Sequence, residues 1–96
     1  MTSHVVRIAV VEAIAELTGC SSERILDTDK LAEDLGVDSM VAVNLVVAIE
    51  DRVGSRLPDG YESALVDVRT VGILVDRLAS AFAAARDAQD RVRPAR

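Results

Sequence analysis

Asp38 and Ser39 are the residues whose types and positions point most directly to chemistry in this chain. They follow the segment Leu35-Gly36-Val37, and an uninterrupted helical pattern begins directly afterwards. This places the Ser39 hydroxyl at the N-terminal end of a helix, where backbone N–H groups are unpaired and the helix dipole favours negative charge. A serine in this position is suited to carry a phosphate ester. The competing interpretation is structural, because Asp and Ser are also preferred residues for capping a helix N-terminus.

The residues around the candidate cap leave both interpretations open. A reciprocal capping box needs Glu or Gln three residues after the cap, but Val41 follows Asp38 at that spacing and Ala42 follows Ser39. The full motif is therefore missing, and capping by either residue is possible. Met40 and Val41 place two apolar side chains beside an exposed serine, which favours a surface that docks a partner protein.

Size and composition predict one small all-α domain. The chain has 96 residues, half of them apolar, with two prolines, five glycines and only two aromatic side chains, Tyr61 and Phe82. Because the apolar residues do not alternate as in strands, we expect a helical bundle with an aliphatic core. A domain of this size is too small for an enzyme with a deep cleft, and no nucleophile stands with a base and an orienting group. We therefore predict that it is not an enzyme.

The charge distribution excludes several classes of function. The net charge is −5, although residues 86–96 contain four arginines and only two aspartates. An acidic body lacks the basic face that nucleic acids require and favours partners with basic docking surfaces. Charged residues interrupt the first apolar stretch, so neither a signal peptide nor membrane insertion is predicted. The single Cys20 agrees with a reducing cytoplasm, and the lone His4 predicts no metal site.

Residues 1–85 are predicted to form the helical domain, and residues 86–96 a charged, flexible tail. The first helix begins at Thr2 or Ser3 and ends near Thr18, with an inward stripe at helical spacing formed by Val6, Val10, Ala13, Ile14 and Leu17. A long acidic connection, residues 20–38, follows this helix. An unstructured connection of this length is uncommon in so small a domain. We expect four apolar residues to anchor it across the bundle: Ile25, Leu26, Leu31 and Leu35.

The second helix is predicted to run from Ser39 to about Val53 and to stop at Gly54. Its apolar cover is wider than one stripe, which indicates a central helix with neighbours on more than one side. A turn at residues 57–60 precedes a short helical turn from Tyr61 to Val66. The last helix starts at Asp67 or Thr70, and its pattern fades past Arg86. Its inward residues are Val71, Leu74, Val75, Leu78 and Phe82.

The segment Leu35-Gly36-Val37-Asp38-Ser39-Met40 resembles the Gly-x-Asp-Ser-Leu/Met signature of acyl and peptidyl carrier proteins. The resemblance covers roughly residues 3–84 and includes Leu31 and Leu35 in the long loop, Leu57-Pro58 after the second helix and Thr70-Val71 at the last helix. It implies a small antiparallel-type four-helix bundle, with three longer helices, a short third helix and a long loop between the first two. In this family the serine is esterified with 4′-phosphopantetheine from coenzyme A, and the thiol of that arm carries acyl groups as thioesters.

The resemblance also implies residue roles. Ser39 is the expected attachment point, and Asp38 is the neighbour that assists loading. The second helix is the expected recognition helix, with docking candidates Met40, Val41, Asn44, Glu50 and Asp51. The short third segment is the expected gate over an acyl-binding cleft, whose candidate lining residues are Val46, Ile49, Tyr61, Leu65, Ile73 and Leu74.

The chain departs from the form common among fatty-acid carriers, which place acidic residues one turn into the second helix where Val41 and Asn44 stand here. The docking face is thus less negative, which favours a dedicated carrier of a polyketide-type secondary-metabolite pathway. We predict a freestanding, cytoplasmic, monomeric acyl carrier for polyketide or fatty-acid-type biosynthesis. Its expected partners are a phosphopantetheinyl transferase and a ketosynthase, acyltransferase or other thioester-processing enzyme. Two alternatives stay open: an aminoacyl or peptidyl carrier for amide-forming enzymes, and an unmodified helical interaction module.

Overall fold

The described part of the chain is all-helical. The computed structural model describes residues 3–61, 65 and 67–92, with side chains through residue 85. Within these ranges lie three α-helices, α1 (Ser3–Thr18), α2 (Ser39–Val53) and α3 (Val71–Val92), a 3-10 turn at Ser22–Arg24, and no strand. The predicted short helix falls largely outside them, because residues 62–64 and 66 are not described. The all-α prediction is confirmed, and the count of four helices stays a prediction.

Helix α1 is the central element of the bundle. It contacts both α2 and α3, whereas no Cα atom of α2 comes within 8 Å of one in α3. Its residues Val6, Val10, Ala13 and Ile14 are completely buried, as the helical stripe predicts. Among the described helices, α1 rather than α2 thus has helical neighbours on more than one side, which differs from the prediction for the second helix. Leu17, also predicted to face inward, is 38% exposed because it lies in the last turn of α1, where the packing ends.

Helix α2 has the predicted bounds, and its two faces differ. Gly54 ends it in the left-handed conformation at φ 79°, which favours glycine, and donates its N–H to the Glu50 carbonyl. The inward face buries Leu45, Val46 and Ile49. The outward face carries large apolar side chains in solvent: Met40 is 79% exposed, Val43 65% and Val47 53%. The apolar side chains of α2 therefore contribute to the core on one face of the helix only.

The long loop between α1 and α2 is fixed by both side chains and main chain. Ile25 and Leu31 are buried and Leu35 packs against the core, as predicted. Leu26 is 58% exposed, contrary to prediction. It lies outside a regular helix, where no helical spacing determines whether a side chain points inward or outward. Its backbone N–H instead donates to the Asp29 carboxylate at 2.9 Å.

Three main-chain hydrogen bonds connect this loop to the start of α3. Gly72 N–H donates to the Asp27 carbonyl at 2.9 Å, Val71 N–H to that of Asp29 at 3.1 Å, and Leu31 N–H to that of Arg69 at 2.8 Å. A Cβ at Gly72 would lie only 3.3 Å from the Asp27 carbonyl oxygen, so the glycine permits this close approach. The loop and the beginning of α3 therefore form one joined edge of the bundle.

Helix α3 begins after Thr70, one of the two predicted starts. The Thr70 hydroxyl accepts a hydrogen bond from Ile73 N–H at 3.3 Å. The predicted inward residues are all buried, namely Val71, Leu74, Val75, Leu78 and Phe82. The helix continues to Val92, so the helical backbone extends beyond Arg86, where the sequence pattern fades; flexibility of the tail stays a prediction.

Aliphatic burial supplies most of the stabilisation. Seven large side chains have less than 2% of their surface exposed, and each contributes about 1.5–3 kcal/mol relative to exposure. The ion pairs contribute less because they are solvent-exposed. Arg7 pairs with Asp27, and Arg52 joins α2 to α1 through Glu12 at 3.5 Å and Glu16 at 3.2 Å.

Candidate functional site

Asp38, and not Ser39, is the residue that caps α2. Asp38 has extended backbone angles (φ −92°, ψ −173°), and its carboxylate Oδ1 accepts the Val41 N–H at 2.9 Å. Ser39 is the first helical residue. The structural interpretation of the Asp-Ser pair therefore applies to Asp38, and the chemical interpretation is left for Ser39.

The Ser39 hydroxyl is available for chemistry. Ser39 is exposed, and its side chain forms no hydrogen bond with any residue the structure describes. A hydroxyl used as a cap would be engaged with a backbone N–H of the first turn. The Ser39 oxygen is instead open to a reagent approaching from solvent.

The segment before α2 holds this serine in place. Gly36 adopts φ 69°, a left-handed turn that favours glycine, and its N–H donates to the Ala32 carbonyl at 3.2 Å. Val37 is buried at 7% exposure, and its N–H donates to the Leu31 carbonyl at 2.8 Å. A buried valine therefore anchors the chain two residues before the exposed serine.

A groove of about 550 Å³ opens at Ser39 and runs between α2, the long loop and the start of α3. Such a volume lies in the range of small-molecule sites. Its walls are mainly aliphatic, and polar residues stand at its rim. The lining residues are Lys30, Leu31, Ala32, Glu33, Val37, Asp38, Ser39, Ala42, Leu45, Val46, Ile49, Leu65, Val68, Arg69 and Leu74.

Four of the six candidate cleft residues line this groove: Val46, Ile49, Leu65 and Leu74. Tyr61 is half-buried against the core and is not a lining residue. Ile73 is 39% exposed and also lies outside the groove, contrary to prediction. One residue of α3 corresponds to about 100° of rotation, so the residue beside an inward leucine turns away from the groove.

The docking candidates on α2 divide into exposed and structural residues. Met40, Asn44 and Asp51 are exposed, whereas Val41 is half-buried and packs against the core. The Glu50 carboxylate accepts the Leu57 N–H at 2.8 Å and is partly buried. Glu50 therefore fixes the loop after α2, which is a structural role that the resemblance did not suggest.

Sequence reasoning missed two groups of residues. Val43 and Val47 continue the exposed face that begins at Met40, at spacings of three and seven residues, and these three residues are called the apolar stripe below. Helical spacing from Met40 was the signal that identifies them. Lys30 and Arg69 also line the groove, and only the tertiary path of the loop brings them there.

An arginine of α3 lowers the pKa of a carboxyl group in the segment before that helix. The Arg77 guanidinium donates a hydrogen bond to Asp67 at 2.9 Å and its charge acts in the same direction, so the pKa of Asp67 lies below its usual range. Among the described residues, no group of three His, Cys, Asp or Glu side chains is placed to hold a metal ion. Nor is any helix among them long and apolar enough to cross a membrane.

Comparisons with known proteins agree with this geometry. Residues 9–78, which include Asp38 and Ser39, match the protein family described as "Phosphopantetheine attachment site". The acyl carrier protein of Saccharopolyspora erythraea is 42% identical over 82 residues, covering 78% of this chain and 83% of the relative. That of Acidothermus cellulolyticus is 34% identical over 76 residues, covering 79% and 87%. The meromycolate extension acyl carrier protein of Mycobacterium tuberculosis is 32% identical over 75 residues, covering 78% and 63%.

The family match and these relatives identify the class of protein as a carrier of covalently attached groups. The chain belongs to the acyl carrier protein family, whose covalent group is 4′-phosphopantetheine. It is a carrier and not a catalyst, and members of this family work with synthase and transferase enzymes. The predicted family, carrier function and cofactor are thereby confirmed.

Proposed function

We propose that Ser39 carries the 4′-phosphopantetheine arm. The observation that supports this most directly is the division of roles at the start of α2, where Asp38 caps the helix and the Ser39 hydroxyl is exposed and unbonded. The residues present fit the group, because Ser39 opens onto solvent for loading and onto an aliphatic groove beside it. The arm supplies a terminal thiol for thioester formation.

A phosphopantetheinyl transferase loads the chain from coenzyme A. The Ser39 oxygen forms the new bond to phosphorus, its proton passes to a base on the transferase, and adenosine 3′,5′-bisphosphate leaves. Asp38 contributes by holding the first turn of α2 rigid through its bond to Val41 N–H. As the residue directly before Ser39, it is also the carboxylate we propose to assist the metal-dependent transfer.

The apolar stripe (Met40, Val43 and Val47) is the docking surface we propose for partner enzymes. It begins one residue after Ser39, so an enzyme that admits the arm must cover it. Residues 39–49 contain no charged side chain, and Glu50 is engaged with the loop. Docking therefore depends more on apolar contact than on charge, with Asn44 and Asp51 at the edge of the surface.

We further propose that the chain is a monomeric carrier in the cytoplasm and serves a polyketide-type or fatty-acid-type pathway. Its partners there are a ketosynthase, an acyltransferase or another thioester-processing enzyme. The groove offers the cargo an aliphatic site next to Ser39, lined by Val46, Ile49 and Leu74. A short helix at residues 61–66 completes a four-helix bundle in this proposal and borders the groove at Leu65.

Intact-protein mass spectrometry tests the attachment site. The chain is incubated with coenzyme A, magnesium and a broad-specificity phosphopantetheinyl transferase. We expect one added phosphopantetheine on the wild-type chain and on Ser55→Ala, a matched control at another exposed serine. Ser39→Ala should acquire none while retaining its helical circular dichroism. Loading of the Ser39→Ala chain would show that the site is wrong, and no loading of the folded wild-type chain would favour an unmodified interaction module.

Docking through the apolar stripe has its own test. Val43→Ser combined with Val47→Ser should lower kcat/KM for a partner enzyme about thirtyfold, since each partly exposed valine gives about 1 kcal/mol when covered and about 1.4 kcal/mol corresponds to tenfold. The matched control carries Val5→Ser and Ile8→Ser, two side chains of α1 that are 46% and 45% exposed. Equal losses in the two double variants would contradict docking at the stripe.

A further inference from the structure

Two basic side chains, Lys30 and Arg69, line the groove that contains Ser39. Main-chain contacts bring their segments to the same end of it. Leu31 N–H donates to the Arg69 carbonyl at 2.8 Å, and Val37 N–H donates to the Leu31 carbonyl at 2.8 Å. Because Val37 is two residues before Ser39, the backbone segments that carry both cations lie beside the segment that carries the serine.

These cations are not committed to strong ion pairs. Lys30 Nζ lies 3.4 Å from the Glu33 carboxylate, but both side chains are more than half exposed, and such a pair is weak. The Arg69 side chain forms no hydrogen bond or ion pair with the residues the structure describes. Asp38, the other carboxylate at this rim, is engaged with Val41 N–H. The whole chain has a net charge of −5, but the groove is lined by two cations and two carboxylates, whose charges balance.

We propose that Lys30 and Arg69 bind the phosphodiester that joins the arm to Ser39 and thereby direct the arm along the groove. The proposal rests on Ser39 being the attachment site. A phosphodiester carries one permanent negative charge, and it stands directly on the Ser39 oxygen, whereas any charge on the cargo lies at the far end of the arm. Guanidinium and ammonium groups are the side chains that bind phosphate oxygens.

The groove beyond the rim fits the remainder of the arm. Its walls include Leu45, Val46 and Leu74, which offer aliphatic surface to the methyl-bearing part of the pantetheine unit. Helix α2 rises about 15 Å over the ten residues from Ser39 to Ile49, both of which line the groove, so the groove follows α2 over about that distance. Without the two cations, the phosphodiester has no cationic partner at the rim, and the arm is free to extend into solvent.

The test uses the loaded chain in a Cys20→Ser background, so that the arm carries the only thiol. Lys30→Gln combined with Arg69→Gln is compared with a control of the same charge change, Arg24→Gln combined with Arg56→Gln. The control arginines are exposed and do not line the groove. Loading is first verified by intact mass. The ³¹P chemical shift of the phosphodiester and the rate of reaction of the arm thiol with an uncharged disulfide are then measured at low and high salt.

We expect the Lys30→Gln, Arg69→Gln chain to show a shifted ³¹P resonance and an arm thiol that reacts about two- to fivefold faster. High salt should move the wild-type values toward those of this variant, because exposed ion pairs are screened. Equal ³¹P shifts and thiol rates in the wild-type and groove variants would overturn the inference alone. Equal changes in the groove and control variants would also overturn it, by showing a general charge effect. A wild-type chain that takes up no arm would overturn the proposed function together with this inference.

Discussion

Replacing Asp38 by alanine removes the cap of α2 and leaves Ser39 in place. The lost interaction is the 2.9 Å hydrogen bond from Val41 N–H to Asp38 Oδ1. Loss of such a cap costs about 1 kcal/mol. In a domain of this size that lowers Tm by about 4–8 °C. Asp38→Asn should cost much less, because asparagine keeps a side-chain oxygen that caps equally well.

Ser39→Ala is the matched comparison for this experiment. The Ser39 hydroxyl forms no hydrogen bond with the described residues, so its loss should change the free energy of unfolding by less than about 0.5 kcal/mol. The measurement is urea unfolding of the unloaded chains followed by far-UV circular dichroism, which suits a protein without tryptophan. A Ser39→Ala chain as destabilised as Asp38→Ala would refute the assignment of the cap.

The same variants separate folding from loading. Asp38→Asn is expected to fold with wild-type stability, so a lower rate of phosphopantetheine transfer to this variant reports a role of the carboxylate charge. An unchanged transfer rate would limit Asp38 to its structural role as the cap of α2.

Three further predictions concern other parts of the bundle. Glu50→Ala should lower the free energy of unfolding by about 1–3 kcal/mol, because it leaves a backbone N–H of the following loop unpaired. Asp51→Ala is the control, and in the same urea titration it should change the free energy of unfolding by no more than about 0.5 kcal/mol. Ile49→Ala leaves a cavity at a completely buried position and should lower the free energy of unfolding by about 2–5 kcal/mol, measured by the same urea titration. This is a large part of the stability of a small domain. The Arg77 contact lowers the pKa of Asp67 below its usual 3.8, so its stabilisation is present above that pH and is lost as the pH falls through the lowered value. Unfolding measured across acid pH should show a steeper dependence in the wild type than in Arg77→Gln, in which a backbone hydrogen bond and the charge of Arg69 still act on Asp67.

Local signals in the sequence were sufficient for the ends of α2, where the proposed site lies. Asp38 and Gly54 are residues with specific roles at helix ends, and the structure uses both in those roles. The buried face of α3 could also be predicted, because its inward residues repeat at helical spacing from Val71 to Phe82. Ile73 was misplaced since a cleft role was assigned to it from resemblance, against the phase of its own helix.

The remaining features depend on tertiary packing. An apolar residue on α2 is buried only where a neighbour covers it, and α1 covers one side alone, so Val43 and Val47 stay in solvent. Leu26 lies in a loop, where no repeating spacing of side chains predicts which of them are buried. The position of Arg69 beside the groove follows from a hydrogen bond to a residue 38 positions earlier in the chain, Leu31, which no local pattern indicates.

The edge formed by the loop and α3 has an evolutionary consequence. Its three connections at Asp27, Asp29 and Leu31 are made by backbone atoms, so they survive substitution of the side chains that stand there. Exposed acidic positions whose carboxylates accept no backbone N–H, such as Glu23 and Glu33, are thus free to change sign or be neutralised while the chain keeps its path to Ser39. A carrier built in this way can acquire the surface charge of a new partner by single substitutions, without an intermediate in which Ser39, the proposed attachment site, is displaced.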